Sequence, residues 1–190
     1  MQIERVRPDM GPVEVVAVAL WLMLPAYIPN NVAVLVGGGP PIDGGRRFRG
    51  ARLLGDGKTW RGLIGGVTAG IVLAIGLNAV EPTVASATSL ELPRFPATAV
   101  VALPLGALLG DISASFVKRR LGAERGAAVP GLDQFDLVIG SLGLTAIVAW
   151  GWLATVMTGW ILLAVLVVTP LLHFTTNAAA YALGLKDVPW

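Results

Sequence analysis

Five apolar stretches, residues 13–36, 63–80, 97–116, 137–157 and 160–183, set the terms for this chain. A helix that crosses the hydrocarbon core of a bilayer needs about 20 mostly apolar residues, and each stretch is of that order. Only 14% of the residues are charged, where a soluble domain carries about 25%, and mean hydropathy is +0.73. The sequence therefore predicts an all-α membrane protein with five transmembrane helices, residues 1–190 forming one integral membrane domain with no internal repeat. Pro25 and Pro29 predict breaks in the first span. That span lacks the basic start and small-residue cleavage site of a secretory signal, and its apolar run is too long for one. The fourth and fifth spans are joined so closely that a tight antiparallel hairpin is expected. The segment "EPTVASATSLELPRFP", residues 81–96, reads as a solvated connector.

Lysine and arginine are unevenly distributed. Arg46, Arg47, Arg49, Arg52, Lys58 and Arg61 lie in loop 37–62; Lys118, Arg119, Arg120 and Arg125 lie in loop 117–136; Lys186 is in the tail. Arg5, Arg7 and Arg94 fall on the other side. Basic residues concentrate in cytoplasmic loops. The N-terminus is thus expected outside, with both long polar loops and the C-terminus in the cytoplasm.

The first of these loops contains "GDGKTWRG", which ends in the Gly-Lys-Thr of the P-loop. Arg52 stands where that pattern needs its first glycine, and an apolar span follows instead of a soluble helix, so the P-loop reading fails. The surrounding "GGGPPIDGGRRFRGARLL" is dense in glycine and arginine. Glycine-rich turns can aim backbone N–H groups at an anion, and arginine adds bidentate phosphate contacts. A plain basic loop meeting anionic headgroups is the simpler alternative.

Carboxylates inside the spans are more telling, because an ionisable group in hydrocarbon is costly and usually functional. Asp111, Ser115 and Lys118 follow i, i+4, i+7 spacing and share one helical face. Asp111 neutralised by Lys118 is the structural alternative. Asp133 and Asp136 open the fourth helix, where acids also serve as caps. There is no cysteine, so thiolate chemistry is excluded, and a single histidine argues against a zinc site. Three carboxylates with oxygen donors only suit a hard cation such as Mg²⁺. With Lys58, Arg61, Lys118 and Arg119 around them, they are the equipment of phosphoryl or nucleotidyl transfer.

These residues resemble the CTP-dependent phosphatidate cytidylyltransferase family. Gly110, Asp111, Ser115, Lys118 and Arg119 are in register with its G-D-L-x-x-S-x-x-K-R. Glu124 stands for an aspartate, Gly126 keeps a glycine, and Pro130-Gly131 follow at the family spacing. The next segment, H-G-G and one more residue, is missing. Leu132-Asp133 and Asp136 then match, with Gln134 in place of arginine. Lys58, Thr59, Trp60, Arg61 and Gly62 are similar to the family's K-T-W-E-G, Arg61 replacing the acid. The short chain, the five spans and the G-G-x-P-x-D-G-G around Asp43 resemble most the archaeal branch, the CDP-archaeol synthases; the tail "LGLKDVPW" matches more loosely.

The resemblance implies a CTP:lipid-phosphate cytidylyltransferase that releases pyrophosphate and serves phospholipid biosynthesis. It implies Mg²⁺ on Asp111, Asp133 and Asp136, with Lys118 catalytic. Asp43, Lys58, Thr59, Arg61, Ser115, Arg119 and Gly131 would bind substrate. CTP and a lipid phosphate within the bilayer are the implied partners, with no nucleic acid. Two rivals stay open: a CTP-dependent lipid or polyprenol kinase, and a small ion-coupled transporter with Asp111 as coupling carboxylate. His173, Thr175, Thr176 and Asn177 read as interhelical hydrogen-bonders, and Trp60 as a side chain able to pack on the nucleotide loop.

Overall fold

A computed structural model of the protein describes residues 10–123, 129–182 and Gly184. Arg5, Arg7, Glu124, Arg125, Gly126, Lys186 and the rest of the tail lie outside the described residues. Five helices are each long and apolar enough to cross a membrane: α1 Pro12–Leu35, α2 Trp60–Thr88, α3 Ala97–Arg120, α4 Leu132–Val156 and α5 Gly159–Ala182. A two-stranded ribbon, β1 Arg47–Phe48 and β2 Ala51–Arg52, stands in the first loop. Its two turn residues, Arg49 and Gly50, have φ of 52° and 83°, the positive pair that a tight two-residue hairpin requires.

Contrary to expectation, α1 is unbroken through Pro25 and Pro29, both buried. The reason lies on α2. Gly62, Gly66 and Gly70 recur every four residues and face α1. A Cβ on Gly66 would come within 2.6 Å of the Pro29 carbonyl, and one on Gly70 within 2.8 Å of the Pro25 carbonyl. Bare glycine lets the two backbones touch, and that packing offsets the helix bonds the prolines remove. The same device joins α3 to α4: a Cβ on Gly106 would run into Gly140, and one on Gly110 into the Asp136 carbonyl. The core between the helices is filled by Val18, Leu22, Met23, Leu103, Ile161 and Val165, each 1% exposed or less.

The α2–α3 connector is not a solvated loop. Helix α2 continues through Pro82 to Thr88, and Leu92 and Phe95 beyond it are buried. The indole of Trp21 donates to the Pro93 carbonyl at 3.0 Å, and that of Trp152 to Arg94 at 2.9 Å. Asn78 clasps the Phe95 backbone at both its N–H and its carbonyl, 2.8 Å each. These partners are scattered along the sequence, so local polarity could not reveal them.

Helices α4 and α5 are joined by Met157 and Thr158 alone, as a hairpin. Yet α5 packs on α1 as well as on α4, and the Tyr27 hydroxyl meets Thr169 Oγ1 at 2.7 Å. Among the described residues α5 touches no other helix. An opening remains among α1, α3, α4 and α5.

Candidate active site

A cavity of about 680 Å³ occupies that opening and runs up to the two polar loops. Its floor is apolar, with Leu20, Leu24 and Ile28 of α1. Its polar end carries Lys58, Asp111, Lys118, Asp133, Gln134 and Asp136 together. All three candidate carboxylates and two of the expected basic residues therefore reach one space, from three segments: the first loop, α3 and α4.

The pairing differs from the simplest expectation. Lys118 does not neutralise Asp111; its Nζ lies 2.7 Å from Asp133 Oδ1, joining α3 to α4. Asp111 is met by Lys58, reaching in from the first loop at 2.5 Å. Lys58 is aimed by its backbone: its carbonyl accepts from Ile42 N at 2.8 Å, and Trp60 N donates to the Pro40 carbonyl at 3.4 Å. The other motif residues do local work. Thr59 is buried and caps α2, its Oγ1 accepting from Gly62 N at 3.1 Å. Gly62 abuts the Ala33 carbonyl. Arg61 lies against Gly39 and is exposed, and Trp60 is 50% exposed.

Asp43, an expected substrate-binding residue, lies away from the cavity that holds the other carboxylates. Its side chain is 1% exposed, and both oxygens are engaged. Arg52 donates to both of them, while the amides of Gly45, Leu54 and Gly55 add three more bonds at 3.0–3.1 Å. The anion held by this glycine-rich turn is the chain's own carboxylate. The Arg52 guanidinium, aided by those amides, holds the Asp43 carboxyl far below the usual carboxylate range, and Asp43 raises Arg52 in return. Asp43 shapes the loop and does not line the cavity.

Ser115 is buried but is not on the cavity wall. Arg119 donates to the Ala123 carbonyl at 2.6 Å and lies beside Gly55, bracing loop against helix. Gly131, at φ 86°, is the N-cap of α4, and its N–H donates to Gln134 Oε1. Gln134 thus takes the capping work, while Asp133 Oδ2 accepts from Val129 N at 2.9 Å, just ahead of the helix. Asp133 sits two residues past the N-cap, in the first turn of the helix.

Some lining residues were not singled out in the sequence. Tyr27, Asn30 and Asn31 of α1 face the cavity, opposite His173, Thr176 and Asn177 of α5. Thr175 and Thr176 bond carbonyls of their own helix, and Asn177 approaches His173 within α5. The Asn-Asn pair was the available signal, but only the position of α5 gives it meaning.

The three carboxylates do not close into a ready cation cage among the described residues. The reason is visible: Asp111 and Asp133 are turned toward lysines. In donor chemistry they fit a hard cation, being oxygen ligands on one cavity wall with no thiolate in the chain.

Five helices of spanning length around a cavity that is apolar at one end and charged at the other define a membrane protein with a charged site inside its helix bundle. The family profile described as "CarS-like: CDP-archaeol synthase" matches residues 13–190. A CDP-archaeol synthase of Natronomonas pharaonis is 57% identical, the match covering 93% of this chain and 98% of that protein. One of Halobacterium salinarum is 55% identical over 95% of this chain and all of its own length, and one of Methanosphaerula palustris 52% identical over 88% and all of its own. A solved structure described as "Structural insight into an intramembrane enzyme for archaeal membrane lipids biosynthesis" aligns with TM-score 0.68 and 38% identity, covering 84% of this chain and 92% of that one. The chain belongs to the CDP-archaeol synthase family.

Proposed function

We propose that this protein transfers the cytidylyl group of CTP to the phosphate of an archaeal ether lipid, releasing pyrophosphate and leaving a CDP-lipid in the bilayer. The observation that carries this reading is the joining of Lys58, Asp111, Lys118, Asp133 and Asp136 at the charged end of a cavity whose other end is apolar. CTP would enter from the polar-loop side, which the excess of Lys and Arg marks as cytoplasmic.

A lipid phosphate oxygen attacks the α-phosphorus; the new P–O bond forms as the bond to the β-bridging oxygen breaks. A phosphate monoester is already largely ionised near neutral pH, its second pKa being about 6, so no strong general base is required. The chain's contribution is position and charge. Lys58 and Lys118 leave their carboxylates for phosphate oxygens, offsetting negative charge on the triphosphate. Asp111, Asp133 and Asp136 are the residues that would hold Mg²⁺, which supplies charge neutralisation across the triphosphate when bound. The apolar floor holds the lipid chains and keeps its phosphate in line.

Purified protein with Mg²⁺, each nucleoside triphosphate in turn, and diether or diacyl phosphatidic acid tests this. Release of pyrophosphate with a CDP-lipid is expected. Release of CDP would make the protein a kinase, and solute flux without CTP consumption would make it a transporter.

A further inference from the structure

The first loop carries a second set of charges that the catalytic cavity does not use. Arg46, Arg47 and Arg49 are exposed, and none forms an ion pair among the described residues. The nearby acids Asp43 and Asp56 are both taken by Arg52. Among these arginines Phe48 stands 49% exposed at the end of β1. The ribbon is fixed, not loose. Arg120 in the last turn of α3 donates to the Phe48 carbonyl and, at 2.6 Å, to that of Arg52. Its guanidinium lies 5.3 Å from the Phe48 ring and 5.2 Å from that of Phe116.

Height follows from this attachment. Helix α3 is of spanning length and ends in Lys118-Arg119-Arg120, so its last turn marks where the chain leaves hydrocarbon. A ribbon bound to Arg120 stands at headgroup level. Beside it a separate cavity of about 490 Å³ is walled by Ile42, Leu53, Leu54 and Phe116, with Arg46 and the Arg52-paired Asp43 also lining it. Free phosphate or a nucleotide has no use for such an apolar recess beside arginines. An anionic amphiphile uses both.

We propose that the β1–β2 ribbon and the end of α3 form a binding surface for anionic phosphodiester lipids of the surrounding bilayer, distinct from the catalytic cavity. Arg46, Arg47 and Arg49 meet the headgroup phosphate, and Phe48 with the apolar recess meets the glycerol region. Lys58 sits on the same loop, tied to the ribbon through Arg52 and Asp43, so an occupied surface steadies the lysine that enters the active site.

The test measures lipid retained by the purified full chain after incubation in mixed phosphatidylglycerol and phosphatidylcholine micelles, read by native mass spectrometry. Wild type should keep phosphatidylglycerol preferentially. The triple variant R46Q/R47Q/R49Q should lose that preference by roughly tenfold or more, and R47Q and R49Q alone should each lose part of it. CTP binding in detergent and melting temperature should stay as in wild type. No preference in wild type, or equal retention by the triple variant, overturns the proposal. So does displacement of the retained lipid by CTP, which would place it in the catalytic cavity. The readout needs no turnover, so it stands apart from the fate of the cytidylyl-transfer reading.

Discussion

Lys58 Nζ and Asp111 Oδ2 lie 2.5 Å apart, joining residues 53 positions distant in the chain and belonging to a polar loop and a spanning helix. The pair makes a charge inside the bundle tolerable and makes the loop part of the site. Asp111→Asn should lower turnover about a hundredfold or more, on the scale of losing a principal charge-stabilising group, while the protein stays folded. Lys58→Ala should raise KM for CTP more than it lowers Tm. The double variant should fall short of additivity by about 0.5–3 kcal/mol, the coupling seen for residues in contact. Near-normal turnover in Asp111→Asn would remove that carboxylate from the reaction.

Asp133 and Asp136 should separate in calorimetry. Asp133 serves Lys118 and the Val129 amide, so Asp133→Ser should lower Tm even without ligand. Asp136 faces the cavity and has no ion pair among the described residues. Asp136→Asn should leave the ligand-free Tm within about 0.5 kcal/mol of wild type in stability terms, yet abolish the Tm rise on adding Mg²⁺ with CTP. A full rise in both variants would exclude the two residues from cation binding.

For Asp43, folding and pH dependence are linked. Its carboxyl ordinarily titrates at 3.8 and is held lower in the folded loop. The lowered value means the folded loop favours the ionised form, so the stabilisation is complete above the ordinary value and is lost as pH falls below it toward the folded one. Asp43→Asn should cost about 1–3 kcal/mol at neutral pH and flatten that acid limb. It should also speed tryptic cleavage after Arg46, Arg47 and Arg49 and raise KM for CTP through Lys58. Unchanged proteolysis would show that the loop holds its form without this anion.

Gly110 and Gly140 test how tightly the site is bound to helix packing. A methyl group at either position meets the facing backbone, the Asp136 carbonyl in one case and Gly106 in the other. Overpacking of this kind costs about 1–3 kcal/mol, and backbone is harder to shift than a side chain. Gly110→Ala should lose activity out of proportion to its Tm, since it pushes α4 and Asp136 away. Gly143→Ala, with no atom near its added Cβ, should resemble wild type. Equal behaviour of the two variants would break the link between this contact and catalysis.

The helices, the carboxylates and the basic loops were legible in the sequence because each rests on a local signal: apolar run length, charge within a span, motif spacing. What was not legible depended on partners far apart in the chain. Asp43 carries the motif's acidic position, yet its role is set by Arg52 and three amides that only the folded turn gathers. Lys118 is well spaced to meet Asp111, but the loop supplies Lys58 first and leaves Lys118 to Asp133. Pro25 and Pro29 read as breaks because their compensation lies in glycines of another helix.

The clasped connector between α2 and α3 has a consequence for the cell's energy supply. It lies at the end of the bundle opposite the polar loops, where Trp21, Asn78 and Trp152, from three helices, all grip its backbone. A cavity large enough for a lipid headgroup and a nucleotide is a weak point in an insulating bilayer, since water admitted from one side could carry ions toward the other. The clasp binds α1, α2 and α4 together at the end away from the cavity's charged groups. In the reaction proposed above, that clasp would let a polyanion enter from the loop side without opening a leak for protons or sodium.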